Sequence, residues 1–294
     1  MTTDQESGPA YVHLNGRLLP AMEARISVFD HGLLYADGLF ETVRVANGRC
    51  FRPEVHLARL EESAARLALP LPWPRSLLHE ALQKTAEANG LQEGALRLTV
   101  TRGPGSPIPD PSVCPDPTYF ITSRTVAPFS EETFERGLRL SLGPEHPRLF
   151  VPGLKSLCYL PYQLARATAR AAGCDDAILL WGDQIVETGI SNLFLVRNGK
   201  LVTPDLKSGC LPGIARALVL ELASYLDIPT EVRPVSTHEL GCADEVLVTN
   251  SVMGVLPVQE VAGKLSVDAP GPLARSIRQA YAELLRCETS HPNR

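Results

Sequence analysis

The sequence predicts an α+β protein built as two domains, on three observations. Its 294 residues suffice for two domains of ordinary size, each with its own core. Segments that alternate like strands are interspersed with segments of helical period, without the regular βαβ succession of a doubly wound sheet. The composition also shifts around Val126 to Arg136, which marks a linker (126–136) between a smaller domain over residues 1–125 and a larger one over 137–294.

The elements follow in order. Tyr11 to Leu14 and Arg17-Leu18-Leu19 flank Asn15-Gly16, a strong hairpin signal. The second half of the stretch from Phe29 to Val45 alternates like a strand and ends at the turn Ala46-Asn47-Gly48. Val55, Leu57, Leu60, Ala64 and Leu67 recur at helical spacing, so residues 54–68 form an amphipathic helix. A second helix runs from Pro74 to Asn89, with Gly90 as its stop. Ala95 to Arg102 reads as a half-buried strand, and a proline-rich loop precedes another strand, Tyr119 to Arg124. Beyond the linker come a strand from Gly137 to Leu142, a helix from Leu160 to Ala172 and a buried strand from Ala177 to Trp181. Phe194 to Arg197 and Lys200 to Val202 flank a further Asn-Gly turn. Gly213 to Leu226 is a helix, Glu245 to Thr249 a strand and Pro272 to Leu285 a closing helix.

Composition excludes several classes of function. Hydrophobic residues at 44% and charged residues at 21% are an ordinary soluble balance. A net charge of -5 leaves no basic footprint, so no nucleic-acid partner is expected. No apolar run approaches the length of a membrane span, and the first ten residues are too polar for a signal peptide. Seven cysteines stand singly without a Cys-x-x-Cys pair, which argues against a disulfide framework and suits a reducing cytoplasm. The seven histidines form no ligand pair, so no metal is expected.

Lysine is scarce, and this directs attention to chemistry. Lys84, Lys200, Lys207 and Lys264 lie in polar or turn settings, whereas Lys155 sits in the apolar run from Val151 to Tyr162 with no carboxylate close by in sequence. An ammonium there is partly desolvated, which lowers its pKa and frees the amine as a nucleophile. The alternative is a lysine whose stem packs on apolar surface while its head reaches water.

Downstream stand Val186-Glu187-Thr188-Gly189-Ile190-Ser191-Asn192-Leu193-Phe194 and Cys210-Leu211-Pro212-Gly213-Ile214-Ala215-Arg216. With Lys155 these resemble the class IV aminotransferases, the fold-type IV pyridoxal-phosphate enzymes, from about Tyr11 to about Val261. That family includes branched-chain and D-amino-acid transaminases and 4-amino-4-deoxychorismate lyase. The resemblance implies the family's two-domain fold, pyridoxal 5'-phosphate as cofactor, a small-molecule amino substrate, a homodimer, and Lys155 as the lysine joined covalently to the cofactor. Glu187 matches the glutamate that keeps the ring nitrogen protonated. The amides of Ile214 and Ala215 open a helix and would face the phosphate. Relatives usually carry threonine where Ala215 stands, so one hydroxyl contact is expected to be lost. Arg59 matches the phosphate-binding arginine, and Ser251 and Val252 match a second phosphate loop. Leu211 matches the apolar residue against the ring, while Tyr35, Arg44 and Arg102 match positions on the substrate side. Cys158 replaces a frequent asparagine. Because the motifs fall on both sides of the linker, the active site is expected where the domains meet, with residues 103–118 completing the partner subunit's substrate side.

Three details favour the lyase within this family. The stretch Phe29 to Tyr35 with Phe40-Glu41-Thr42 looks like lyase versions, which carry a threonine at the place of Thr42; its hydroxyl is expected to relay a proton from Lys155, the alternative being a β-branched strand former. Thr101-Arg102-Gly103-Pro104-Gly105 is similar to their Arg-Gly-x-Gly loop, although the arginine usual after it is replaced by Ser106-Pro107-Ile108. Asn250 to Val258 resembles their phosphate loop. No Arg-x-His follows Arg102, so the carboxylate clamp of D-amino-acid transaminases is missing. The expected reaction releases pyruvate and 4-aminobenzoate for folate synthesis. A transaminase of branched-chain or D-amino acids is the alternative. A non-catalytic cofactor-binding relative is a third reading, opposed by the joint presence of Lys155 and Glu187.

Overall fold

The computed structural model describes residues 10–126, 131–147 and 152–290. Residues 127–130 of the expected linker and Val151, at the head of the lysine run, lie outside the described residues. The chain packs as two compact units. One gathers the described residues through 126 with Lys155–Cys158 and residues 285–290, and the other takes 131–147, 152–154 and Tyr159–Leu284.

The domain organisation differs from the sequence reading at two places. Residues 131–136, expected as linker, form a helix whose Phe134 is buried in a hydrophobic core. Lys155, expected within the larger C-terminal domain, clusters with the N-terminal unit.

The first unit contains β1 (Tyr11–Leu14), β2 (Arg17–Pro20), α1 (His31–Tyr35), β3 (Gly38–Ala46), β4 (Arg49–Cys50), α2 (Pro53–Arg66), α3 (Arg75–Ala88), β5 (Gly94–Thr101) and β6 (Thr118–Thr125). Its strands form an antiparallel sheet in the order β2-β1-β6-β5-β3-β4. Asn15-Gly16 and Asn47-Gly48 both take positive φ (45° and 86°, 51° and 73°), the left-handed pair that a two-residue hairpin turn demands. Side chains alternate along β3, so Leu39, Glu41, Val43 and Val45 share one face and Phe40, Thr42 and Arg44 the other. The first face packs on α2, whose buried stripe includes Leu57, Leu60 and Ala64 at helical spacing.

The lysine segment is laid along β3. Phe40 N–H donates to Lys155 O (2.9 Å), Leu157 N–H donates to Gly38 O (3.0 Å), and Leu39 bridges Ser156 in antiparallel sense. Gly38 permits this approach, because a Cβ there would collide with the Val100 carbonyl and the Leu157 side chain.

The second unit comprises α4 (Glu131–Arg136), β7 (Leu138–Glu145), α5 (Leu160–Ala171), β8 (Asp176–Trp181), β9 (Gln184–Thr188), β10 (Asn192–Arg197), β11 (Lys200–Thr203), α6 (Ile214–Tyr225), β12 (Thr230–Val232), β13 (Glu245–Asn250), β14 (Gly254–Val261), β15 (Leu265–Ser266) and α7 (Pro272–Ser290), whose last turns belong to the first unit. The strand order is β12-β11-β10-β13-β14-β7-β8-β9, with β15 on β14. Parallel pairs (β11 with β12, β14 with β7, β7 with β8) mix with antiparallel ones, as an α+β unit allows. Leu140, Ile178, Leu193, Val235 and Val246 centre its core. The expected Asn198-Gly199 turn joins β10 to β11.

β9 and β14 were not expected as strands. In β14, Pro257 disguises the pattern, but its missing N–H falls just before Val258, where pairing with β7 begins. Among the described residues no helix is long and apolar enough to cross a membrane, and no cluster of three metal-ligating side chains occurs.

Candidate active site

The lysine face belongs to the first unit. Because Lys155 pairs opposite Phe40, the two side chains share a face, and Lys155 Nζ lies 4.5 Å from the centre of the Phe40 ring. Thr42, two residues further along β3, projects from that same face, which the sequence had left undecided. Opposite Thr42 on β5 stands Arg97, whose guanidinium carbon sits 3.6 Å from the Phe40 ring centre. Lys155 is half-buried, with its amine in a cation–π contact. Arg44 shares the face but is tied to Glu93, roughly 13 Å along the strand from Phe40 at ~3.3 Å per residue.

Behind the sheet lies a sealed ionic cluster. Arg59 of α2 donates through Nε to Glu41 Oε1 (2.8 Å) and through Nη2 to Glu41 Oε2 (2.6 Å), and His56 Nδ1 meets Oε2 at 2.7 Å. Burial alone would raise the Glu41 pKa, but the Arg59 charge and the hydrogen bonds of His56 and Arg59 outweigh it and lower it to about 2. Burial lowers His56, against the pull of Glu41. Arg59, expected at the phosphate, therefore has two of its N–H donors engaged by Glu41.

Arg102 corrects the sequence reading. It is buried, clasps Asp37 at 2.6 Å and donates to the carbonyls of Ala68 (2.9 Å) and Leu67 (3.1 Å). Those carbonyls follow the end of α2, where helix geometry leaves acceptors unsatisfied. Its guanidinium is a structural clasp rather than a substrate contact. Tyr35 closes α1 with its ring edge-on to His31, 4.9 Å between centres. The Cys158 thiol points at the Ala36 carbonyl, 3.9 Å away.

Glu187, at the end of β9, anchors the second unit's candidate residues. Its Oε2 accepts from the Leu211 N–H (3.0 Å), and its Oε1 lies 3.1 Å from His146 Nε2 and 3.4 Å from the Tyr162 hydroxyl. Asn192 Nδ2 and the Gly213 N–H both donate to Leu211 O (2.9 and 2.8 Å), so the loop carrying Leu211 is fixed from both sides. A Cβ on Gly213 would collide with Asn192 Oδ1, so a side chain there would have to displace Asn192 from the loop. α6 starts at Ile214 with no side-chain cap, which leaves the amides of Ile214 and Ala215 at its positive end.

The Ser251 loop departs from expectation in one respect. The Val252 N–H donates to Asn250 Oδ1 (3.0 Å), as does that of Met253 (2.8 Å), because an asparagine opening a turn satisfies its own backbone. The Val252 amide is thus not turned to an anion. Asn250 Nδ2 also binds Ser191 Oγ at 3.0 Å, and Thr249 Oγ1 is buried with no partner among the described residues.

These residues fit pyridoxal phosphate. A carboxylate with one acceptor position to spare on Oε2 suits a protonated ring nitrogen, and uncapped helix amides suit a phosphate. The family model described as amino-transferase class IV matches residues 38–261. The chain belongs to the class IV aminotransferase family. A candidate branched-chain-amino-acid aminotransferase of Methanocaldococcus jannaschii is 34% identical over 93% of this chain and 96% of its own. The solved T.th. branched-chain amino acid aminotransferase with pyridoxamine 5'-phosphate superimposes with a TM-score of 0.90 at 28% identity, covering 96% of this chain and 97% of that one. The 4-amino-4-deoxychorismate lyase of Pseudomonas aeruginosa is 35% identical, with a TM-score of 0.79 over 95% of this chain and all of that one. This class IV aminotransferase is accordingly a pyridoxal-phosphate enzyme of fold-type IV.

Four residues of this class IV enzyme escaped the sequence reading. His56 and Glu41 carried a usable signal, since His56 and Arg59 lie three apart on one helix face. Arg97 sits in an alternating strand, and its register opposite Thr42 is a tertiary fact. His146 had no local signal at all.

Proposed function

We propose that this protein is a 4-amino-4-deoxychorismate lyase, which splits its substrate into pyruvate and 4-aminobenzoate for folate synthesis. The observation that carries the proposal is the common strand face of Thr42 and Phe40, with Lys155 Nζ against the Phe40 ring. Bound pyridoxal phosphate supplies an electron sink for a carbanion beside the substrate nitrogen. Lys155 Nζ then takes and returns protons, and the Thr42 hydroxyl passes one to the terminal carbon of the departing pyruvate fragment. Glu187 Oε2 would accept the ring N–H, and Leu211 would supply the apolar contact to the ring. Ile214, Ala215 and Ser251 would hold the phosphate. Arg97, a cation on the lysine face, is suited to a substrate carboxylate.

A transaminase reading has its own support in the 0.90 TM-score of a branched-chain enzyme and the 34% identity of the Methanocaldococcus relative. Backbone likeness reports the shared fold, however, and substrate choice lives in the site. Incubation with aminodeoxychorismate should yield 4-aminobenzoate and pyruvate in equal amounts. Transfer of an amino group to a keto acid, with no 4-aminobenzoate, would establish the transaminase instead. Cofactor absorbance in the visible range with neither product formed would support the non-catalytic reading.

The working unit in this proposal is a cytoplasmic homodimer. Met22, Val28 and Leu33 are 83%, 66% and 68% exposed, and with Ile26 and Phe29 they leave an apolar surface on residues 22–33 that a second copy would cover. Sedimentation should give a dimer. Full activity in a monomer would remove this part.

A further inference from the structure

Two of the three groups meeting Glu187 are side chains without a role in the proposal above. His146, at 4% exposure, places Nε2 3.1 Å from Glu187 Oε1 and 3.0 Å from the Tyr162 hydroxyl, and that hydroxyl stands 3.4 Å from the same oxygen. His146 Nδ1 is buried with no partner among the described residues. A carboxylate can only accept, so Nε2 bears a hydrogen toward Glu187, and Nδ1 is left without a partner. Burying an unpartnered ring nitrogen costs free energy that packing alone does not explain.

The two rings are themselves held in place. The His146 backbone N–H bonds Leu180 O at 2.6 Å, and the Tyr162 ring stands edge-on to the imidazole at 5.6 Å. Tyr162 in turn stacks on Tyr159 at 4.8 Å, and the Tyr159 hydroxyl donates to Gly189 O (3.1 Å), just beyond Glu187. Burial and the Glu187 charge push the Tyr162 pKa upward, so its hydroxyl stays a donor.

We infer that His146 and Tyr162 are positioning residues that fix Oε1 of Glu187, so that the spare acceptor position on Oε2 serves the cofactor's ring nitrogen. An arginine at position 146 would orient the carboxylate equally well, but it would neutralise the charge that the protonated ring needs. This role rests on Glu187 being the ring-nitrogen partner.

Apo-protein variants titrated with pyridoxal phosphate test it. A glutamine amide reaches the place of Nε2, whereas asparagine reaches only the place of Nδ1. His146→Leu and His146→Asn should weaken cofactor binding about tenfold, the loss of one charge-assisted hydrogen bond, and His146→Gln should stay within about threefold. The kcat should fall in the same order with KM unchanged. Equal affinities in all three variants would overturn the inference. If His146→Leu does not fold, the contrast between asparagine and glutamine still decides. Tyr162→Phe keeps the ring and should weaken binding about threefold; unchanged affinity removes Tyr162 from the role. Glu187→Gln separates the two levels. A changed visible spectrum there with parental affinity in His146→Leu sinks only the positioning role, whereas an unchanged Glu187→Gln spectrum and affinity sink the Glu187 assignment and this role with it.

Discussion

Glu41 and Glu187 are both buried carboxylates, and their units treat them in opposite ways. Glu41 meets a guanidinium across both oxygens and an imidazole on one, so its charge is balanced inside the first unit. Glu187 meets a backbone amide, a phenol and an imidazole, and among the described residues no lysine or arginine forms an ion pair with it. A balanced buried pair holds structure together and has little left to offer a ligand. A buried carboxylate with no guanidinium across it keeps an acceptor position for a cation that arrives from outside. The contrast separates a carboxylate closed off by an arginine from one with an acceptor position left open.

The largest expected effect tests the chemistry that Glu187 is held ready for. Lys155→Ala should lose at least about 10³-fold in turnover, since both covalent capture and proton transfer go with the amine. Borohydride reduction and peptide mapping should place the cofactor on Lys155; an adduct on Lys84, which pairs with Glu80, or on Lys207 would refute the assignment.

The two carboxylates can then be set against each other directly. Glu41→Gln should cost ~3–5 kcal/mol in urea denaturation, because Arg59 is left buried and unbalanced. Glu187→Gln should cost under ~1 kcal/mol of stability but slow turnover about 10²-fold, some 2.7 kcal/mol of barrier. Reversed outcomes would break the comparison.

Acid sharpens it further. His56 has its folded pKa depressed below 6.5, so it gains a proton on unfolding, and stability is complete above that pH and lost as pH falls toward the folded value. Glu41, depressed from 4.5 to about 2, extends the loss in the same direction at lower pH. Melting temperature should therefore drop between pH 7 and pH 5, reflecting up to ~1.4 kcal/mol per pH unit, and His56→Gln should flatten the drop.

On the opposite face of the sheet from Glu41, Thr42→Val keeps shape and deletes the hydroxyl. A 4-aminobenzoate rate about tenfold lower is expected, ~1.4 kcal/mol of barrier, with the cofactor spectrum unchanged. An unaltered rate would remove Thr42 from the mechanism. The smallest effect lies beside Glu187's loop, at the start of α6. Ala215→Thr should tighten cofactor binding by ~1 kcal/mol, about fivefold, if that helix end holds the phosphate. A titration showing no gain would move the phosphate elsewhere.

Local physics wrote part of this protein into its sequence. The Asn-Gly pairs set their turns because those two residues enter left-handed φ cheaply, the spacing of Leu57, Leu60 and Ala64 set the buried stripe of α2, and alternation set β3 and β5. Lys155 stood out by its surroundings, and its motif with Glu187 identified the family. The partners of those residues lay beyond local reach. Lys155 pairs with a strand more than a hundred residues earlier, Arg102 spends itself on the carbonyls of Leu67 and Ala68, and Asn250 takes the Val252 amide. His146 meets a carboxylate 41 residues away. Such contacts depend on which backbone acceptors and lone pairs remain unsatisfied once the sheets have closed, and only the tertiary structure decides that.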